Sequence, residues 1–129
     1  MDVGELVQQA LSVYGARASM LRGSESVTLE FNNTPEINIV VDGDRILFWS
    51  SIRGREDNVI QSAEISDALV SIGHDLERFG TFSFSFYNQD ILILSAINKV
   101  NIQGHLEMAT VLGLFYDYVH IYSNYFSGI

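Results

Sequence analysis

The sequence predicts an α+β domain: a mostly antiparallel sheet covered by helices, with the elements in the order α-β-β-β-α-β-β-α. Three observations carry this expectation. Residues 36–51 hold two apolar, β-branched arms around Asp42-Gly43, a signature of a tight hairpin. A second pair of apolar arms, residues 81–86 and 91–97, flanks Tyr87-Asn88-Gln89-Asp90. Helical periodicity precedes, separates and follows these hairpins. Short links between strands favour antiparallel pairing, and the helices then layer against the sheet.

Residues 2–15 read as an amphipathic helix, because Val3, Val7, Ala10, Leu11 and Tyr14 recur at helical spacing with Leu6 beside them. Residues 16–25 read as a connection, with Gly23-Ser24 as a turn signal. Residues 26–31 alternate: Val27, Leu29 and Phe31 face one way, Thr28 and Glu30 the other. Asn32-Asn33-Thr34-Pro35 is turn chemistry, and the only proline sits at a strand start, where no ladder donor is needed. Asn32-Asn33-Thr34 also spells a glycosylation sequon, but no secretion signal accompanies it.

In the central hairpin Ile37, Ile39 and Val41 share a face, opposite Asn38. The second arm is apolar on both faces, with Ile46 and Phe48 one way and Leu47 and Trp49 the other, which places it inside a sheet covered on both sides. A capping pair, Asn58 and Gln61, opens a long middle helix running to about residue 79, and Gly80 ends it. Residues 91–97 form a second interior strand. The last helix, residues 106–126, carries one stripe of Met108, Val111, Leu112, Phe115, Val119, Tyr122 and Phe126 and a second of Leu114, Tyr118, Ile121 and Tyr125, so it is expected to be buried on more than one side. Surplus apolar surface on the middle and last helices predicts a homodimer with a two-fold interface.

At 129 residues the chain is expected to be one domain, 1–129, with 47% hydrophobic and 18% charged residues, which suits a folded core rather than disorder. No cysteine is present, so there is no disulfide framework and no thiolate metal site, in keeping with a reducing compartment. The first residues lack the basic and apolar regions of a secretory signal, and no run approaches the roughly 18–20 apolar residues of a membrane helix. Sixteen acidic against seven basic residues give a formal net charge of −9, and Lys99 is the single lysine. Nucleic-acid binding is disfavoured, because phosphate contacts need clustered Lys and Arg.

Motifs for catalysis are missing. His74, His105 and His120 form no HExxH, and no two share the one-turn spacing that gathers metal ligands on a helix. No serine sits in a Gly-x-Ser-x-Gly elbow, and the serines read as solvent faces of strands. No Gly-rich phosphate loop is present: Gly23, Gly43, Gly54 and Gly80 are isolated turn or cap residues. The acidic pairs Asp42/Asp44 and Glu56/Asp57 fall in predicted turns. Neither catalytic residues nor cofactors are therefore expected.

Taken in order, Glu5-Leu6-Val7 and Ala10-Leu11, Val27-x-Leu29, Pro35-x-Ile37-x-Ile39, Leu47-x-Trp49, and Leu114-Phe115-Tyr116-x-Tyr118 with Ile121 resemble the InvB/SpaK family of type III secretion chaperones, small acidic class IB proteins of Gram-negative bacteria. The resemblance spans nearly the whole chain. It implies a non-catalytic, cytosolic homodimer that binds the non-globular N-terminal segments of effectors, keeps them unfolded and presents them to the secretion apparatus. By that analogy effector contacts are expected at Leu6, Ala10, Leu11, Tyr14, Val27, Leu29, Phe31, Ile37 and Ile39. The dimer seam is expected at Val59, Ala63, Ile65, Leu69, Ile72 and Leu76, with Phe84 and Phe86. The competing expectations are a protein-interaction adaptor of similar fold and a small-molecule-binding α+β enzyme. An enclosed pocket with convergent polar groups would favour the enzyme.

Overall fold

A computed structural model of the chain describes residues 2–14, 19–22, 25–31, 34–53, 80–87 and 90–126. Helix α1 spans Val3–Tyr14. It opens on Asp2, whose carboxylate accepts from the Glu5 amide at 3.2 Å and satisfies one of the donors left free at a helix start. The strands are β1 (Ser19–Arg22), β2 (Ser26–Phe31), β3 (Thr34–Asp42), β4 (Arg45–Arg53), β5 (Gly80–Tyr87) and β6 (Asp90–Asn98). A 3₁₀ turn, Lys99–Asn101, leads to helix α2, His105–Phe126.

The six strands form one antiparallel sheet in the order β1-β2-β3-β4-β6-β5. Both strands expected inside the sheet are there: β4 lies between β3 and β6, and β6 between β4 and β5. Two local expectations need correction. Residues 16–25 are not simply a connection, since Ser19–Arg22 pairs with β2 in the register Ser19↔Glu30 to Arg22↔Val27. Four strands therefore precede residue 54, where the periodicity gave three. The β3–β4 turn also falls one residue later than the Asp-Gly pair suggests. Asp42 and Arg45 are partners in the ladder, leaving Gly43 and Asp44 at the tip, with Gly43 at φ +62°. The expected middle helix lies outside the described residues.

Alternation decides which side of the sheet is covered. Val27, Leu29, Ile37, Ile39, Ile46, Phe48, Ile52, Ile91, Ile93 and Ile97 are all buried, and they join Val3, Val7 and Ala10 of α1 and Met108, Val111, Leu112, Phe115 and Val119 of α2 in one core. Both helices thus lie on the same face, and α1 packs against β2 and α2. Aromatic contacts fix α2 across the strands: Phe115 meets Phe48 at 5.8 Å, Tyr118 meets Phe82 at 5.1 Å, and Tyr122 meets Phe84 at 5.3 Å.

The opposite face carries Val40, Leu47, Leu92, Leu94 and Ala96, all half-buried, with Trp49 36% exposed. Within one chain this second face of β4, expected to be covered by helices or a partner subunit, is half-buried. The second stripe of α2 divides in the same way. Within one chain Tyr118 is buried beneath the β5 rings, Leu114 is half-buried and Ile121 is 54% exposed. Ser83 and Ser85 face solvent as expected, but Ser50 and Ser95 lie in the core. Each satisfies its buried hydroxyl by donating to a carbonyl of the neighbouring strand, Ser50 to Glu36 at 2.8 Å and Ser95 to Thr81 at 2.7 Å.

Candidate functional site: the β1 margin beside the first helix

The helical spacing of Val3, Val7 and Ala10 sends these residues onto the sheet, where each is fully buried. Leu6 and Leu11 sit to either side of that stripe and are half-buried against the core. Val13, near the end of α1, is exposed. Next to α1 lies β2, whose Val27 and Leu29 are buried while Phe31 is half-buried, its ring edge-on to Tyr116 at 4.9 Å. The sheet ends beyond β2 with β1, which is paired on one side only among the described residues.

The nine residues expected to meet an effector thus separate by accessibility. Ala10, Val27, Leu29, Ile37 and Ile39 are packed inside the core. Leu6, Leu11 and Phe31 pack against the core and keep part of their surface open. Tyr14 closes α1, and its side chain lies outside the described residues. Of the residues expected at a dimer seam, Val59, Ala63, Ile65, Leu69, Ile72 and Leu76 lie outside the described residues. Phe84 is half-buried and packs its ring on Tyr122 of the same chain, and Phe86 belongs to β5, at the far margin of the sheet.

Sequence reasoning missed β1 altogether. Its only signal was Met20-Leu21 between two polar residues, too short to show a period. It named Tyr116 only as part of the resemblance and gave no role to this residue, which joins Phe31 to a polar cluster. The buried Thr34 hydroxyl lies 3.4 Å from the Tyr116 hydroxyl and 3.3 Å from His120 Nδ1, and the His120 ring stacks on Tyr116. These contacts tie the start of β3 to α2. Among the described residues no group of three His, Cys, Asp or Glu side chains is placed to hold a metal ion. No described helix is long and apolar enough to cross a membrane.

This margin offers two kinds of contact. Its outer backbone can pair with an extended segment of another chain, and half-buried apolar side chains of α1 and β2 can add contact with such a segment. Such recognition depends chiefly on main-chain groups and tolerates varied sequences.

Known proteins share both sequence and fold with this chain. The model of the Invasion protein B family matches residues 24–72, which contain β2, β3 and β4. The surface presentation of antigens protein SpaK of Salmonella typhimurium is 25% identical over 128 residues, covering 95% of this chain and 94% of SpaK. Among solved structures, a chain of the ExsC–ExsE complex superposes with a TM-score of 0.65 at 16% identity, covering 98% of this chain and 97% of that one. A chain of the HopA1–SchA chaperone–effector complex gives 0.61 at 11% identity, covering 98% and 94%. A chain of the ExoU–SpcU complex, from the type III secretion system of Pseudomonas aeruginosa, gives 0.57 at 10% identity, covering 94% of each. At these identities the structural likeness establishes the fold alone. In sequence the chain is similar to SpaK along nearly its whole length and to the Invasion protein B family across the central strands.

Proposed function

We propose that this protein is a type III secretion chaperone. It binds the non-globular N-terminal segments of effector proteins, keeps them unfolded and competent for export, and delivers them to the secretion apparatus. The observation that carries this is the sheet margin at β1, paired on one side only among the described residues and close to the half-buried Leu6, Leu11 and Phe31 of α1 and β2, in a chain similar to SpaK along nearly its whole length. A backbone-led site of this kind serves clients of different sequence, as a chaperone with several effectors requires. We place it in the bacterial cytoplasm as a homodimer of single-domain protomers that uses no cofactor and catalyses no reaction.

The test is direct. N-terminal fragments of the effectors secreted by the same bacterium, unfolded when alone, are mixed with the protein and resolved by size exclusion. Stable co-elution of at least one fragment, with the fragment still protease-sensitive outside the bound stretch, is the expected result. If none co-elutes, and capture from native cytosol followed by mass spectrometry returns no secreted protein, the chaperone role is wrong.

A further inference from the structure

At the proposed docking margin the edge of β2 is covered by β1. Strand β1 is four residues long, the shortest in the sheet, and it pairs with only Val27–Glu30 of the six-residue β2. The opposite margin differs: β5 pairs with β6 along its whole length, from Gly80↔Ile97 to Tyr87↔Asp90. One margin is a full strand, while the other is a short cover over part of a longer template.

Register shows how well the cover fits. Position 20 lies opposite Leu29 and position 22 opposite Val27, the two β2 residues buried in the core. Those positions share the helix-bearing face of the sheet, where alternate apolar residues are favoured. The chain supplies methionine at one and arginine at the other. An extended segment with apolar residues at both would match that face better, and a longer one would also reach Ser26 and Phe31 at the ends of β2. Exchange is cheap in backbone terms, because the incoming strand remakes the ladder bonds that β1 gives up.

We propose that β1 is a placeholder: a client segment displaces Ser19–Arg22 and takes its seat along β2 instead of adding outside it. The occupant is an unfolded polypeptide, at least six residues of it extended, with apolar side chains at alternate positions. This rests on the chaperone role proposed above and sharpens where the client sits.

A cross-strand staple separates the two geometries. Leu21 and Thr28 are directly opposed, and the chain has no cysteine of its own, so the double variant Leu21→Cys/Thr28→Cys can form one disulfide at a spacing that suits antiparallel partners. Cysteine-free N-terminal fragments of the bacterium's effectors serve as the probe. Displacement predicts that the oxidised variant binds at least about tenfold more weakly than the same sample after reduction. Equal affinity in the two states overturns it. Hydrogen exchange on the wild-type complex decides the matter independently, including when the staple fails to close or the variant fails to fold. Amides of Ser19–Arg22 should lose protection on client binding while those of Val27–Glu30 keep it. Increased protection at Ser19–Arg22 would place the client outside β1 and end the proposal. A wild-type protein that binds no fragment at all would instead remove the chaperone role itself.

Discussion

At the scale of single residues, two glycines do different work. Gly43 sits at φ +62° in open space, with nothing within 4 Å of where a Cβ would go. Its value is purely conformational, so Gly43→Ala should lose about 1 kcal/mol of stability in urea denaturation, and Gly43→Asn less than that. Gly80 is the reverse case. A Cβ there would run into the Ala96 carbonyl oxygen and crowd the Ile97 Cα, both backbone atoms of β6 that cannot rotate away. Gly80→Ala should therefore cost more, about 3 kcal/mol, by forcing β5 off its partner. A smaller loss at position 80 than at 43 would show that the β5–β6 pairing yields easily. Sequence marked both glycines as special. It assigned Gly80 to a helix end, however, because the pairing partner that makes it indispensable lies 17 residues further along the chain, at Ile97.

At the scale of elements, legibility followed length and burial. Helix α1, strand β2 and both hairpins could be read because each repeats its apolar period at least twice on a face turned to the core, with at least two buried positions in every element but β5, whose Phe82 and Phe84 are half-buried. Strand β1, with four residues, repeats nothing, and so the margin of the candidate site was invisible although its neighbours were named. The second stripe of α2 shows a different limit: helical spacing does not reveal which surface a residue meets, and among its described side chains Tyr118 meets the β5 rings, Leu114 packs partly against the core and Ile121 is exposed. The same limit applies to the nine expected client contacts. Patterning marks a residue as apolar but cannot separate core from groove. The structure makes that separation testable. Leu29 is fully buried, so Leu29→Ala should lose about 2–5 kcal/mol in thermal or chemical melts. Leu11 is half-buried on α1, so Leu11→Glu should leave the fold largely intact by circular dichroism yet weaken capture of an effector fragment by about tenfold. Unchanged capture by a folded Leu11→Glu would move the client away from α1.

At the scale of the whole molecule, the described helices explain only one side of the sheet. Both α1 and α2 lie on the face that buries Phe48, and the other face presents Val40, Leu47, Leu92, Leu94 and Ala96 half-buried around an exposed Trp49. Apolar surface collected on one side of a small protein suits association. The stretch between β4 and β5 adds the apolar series Val59, Ala63, Ile65, Leu69, Ile72 and Leu76 proposed for a two-fold seam. Light scattering should then give twice the 14.4 kDa chain mass at micromolar concentration. Placing a carboxylate at the seam removes the water-excluding contact and leaves a charge that cannot be desolvated cheaply, so Leu69→Asp should shift the mass to that of a single chain. Effector capture provides the internal control. The β1 margin is built from α1, β1 and β2 of one chain, so a folded Leu69→Asp monomer should still bind a fragment through that margin, with affinity lowered by no more than the loss of the second copy's contribution. A wild-type protein that scatters as one chain would remove the dimer without touching the client site. A folded monomeric variant unable to bind any fragment that wild type captures would show instead that the site needs both copies.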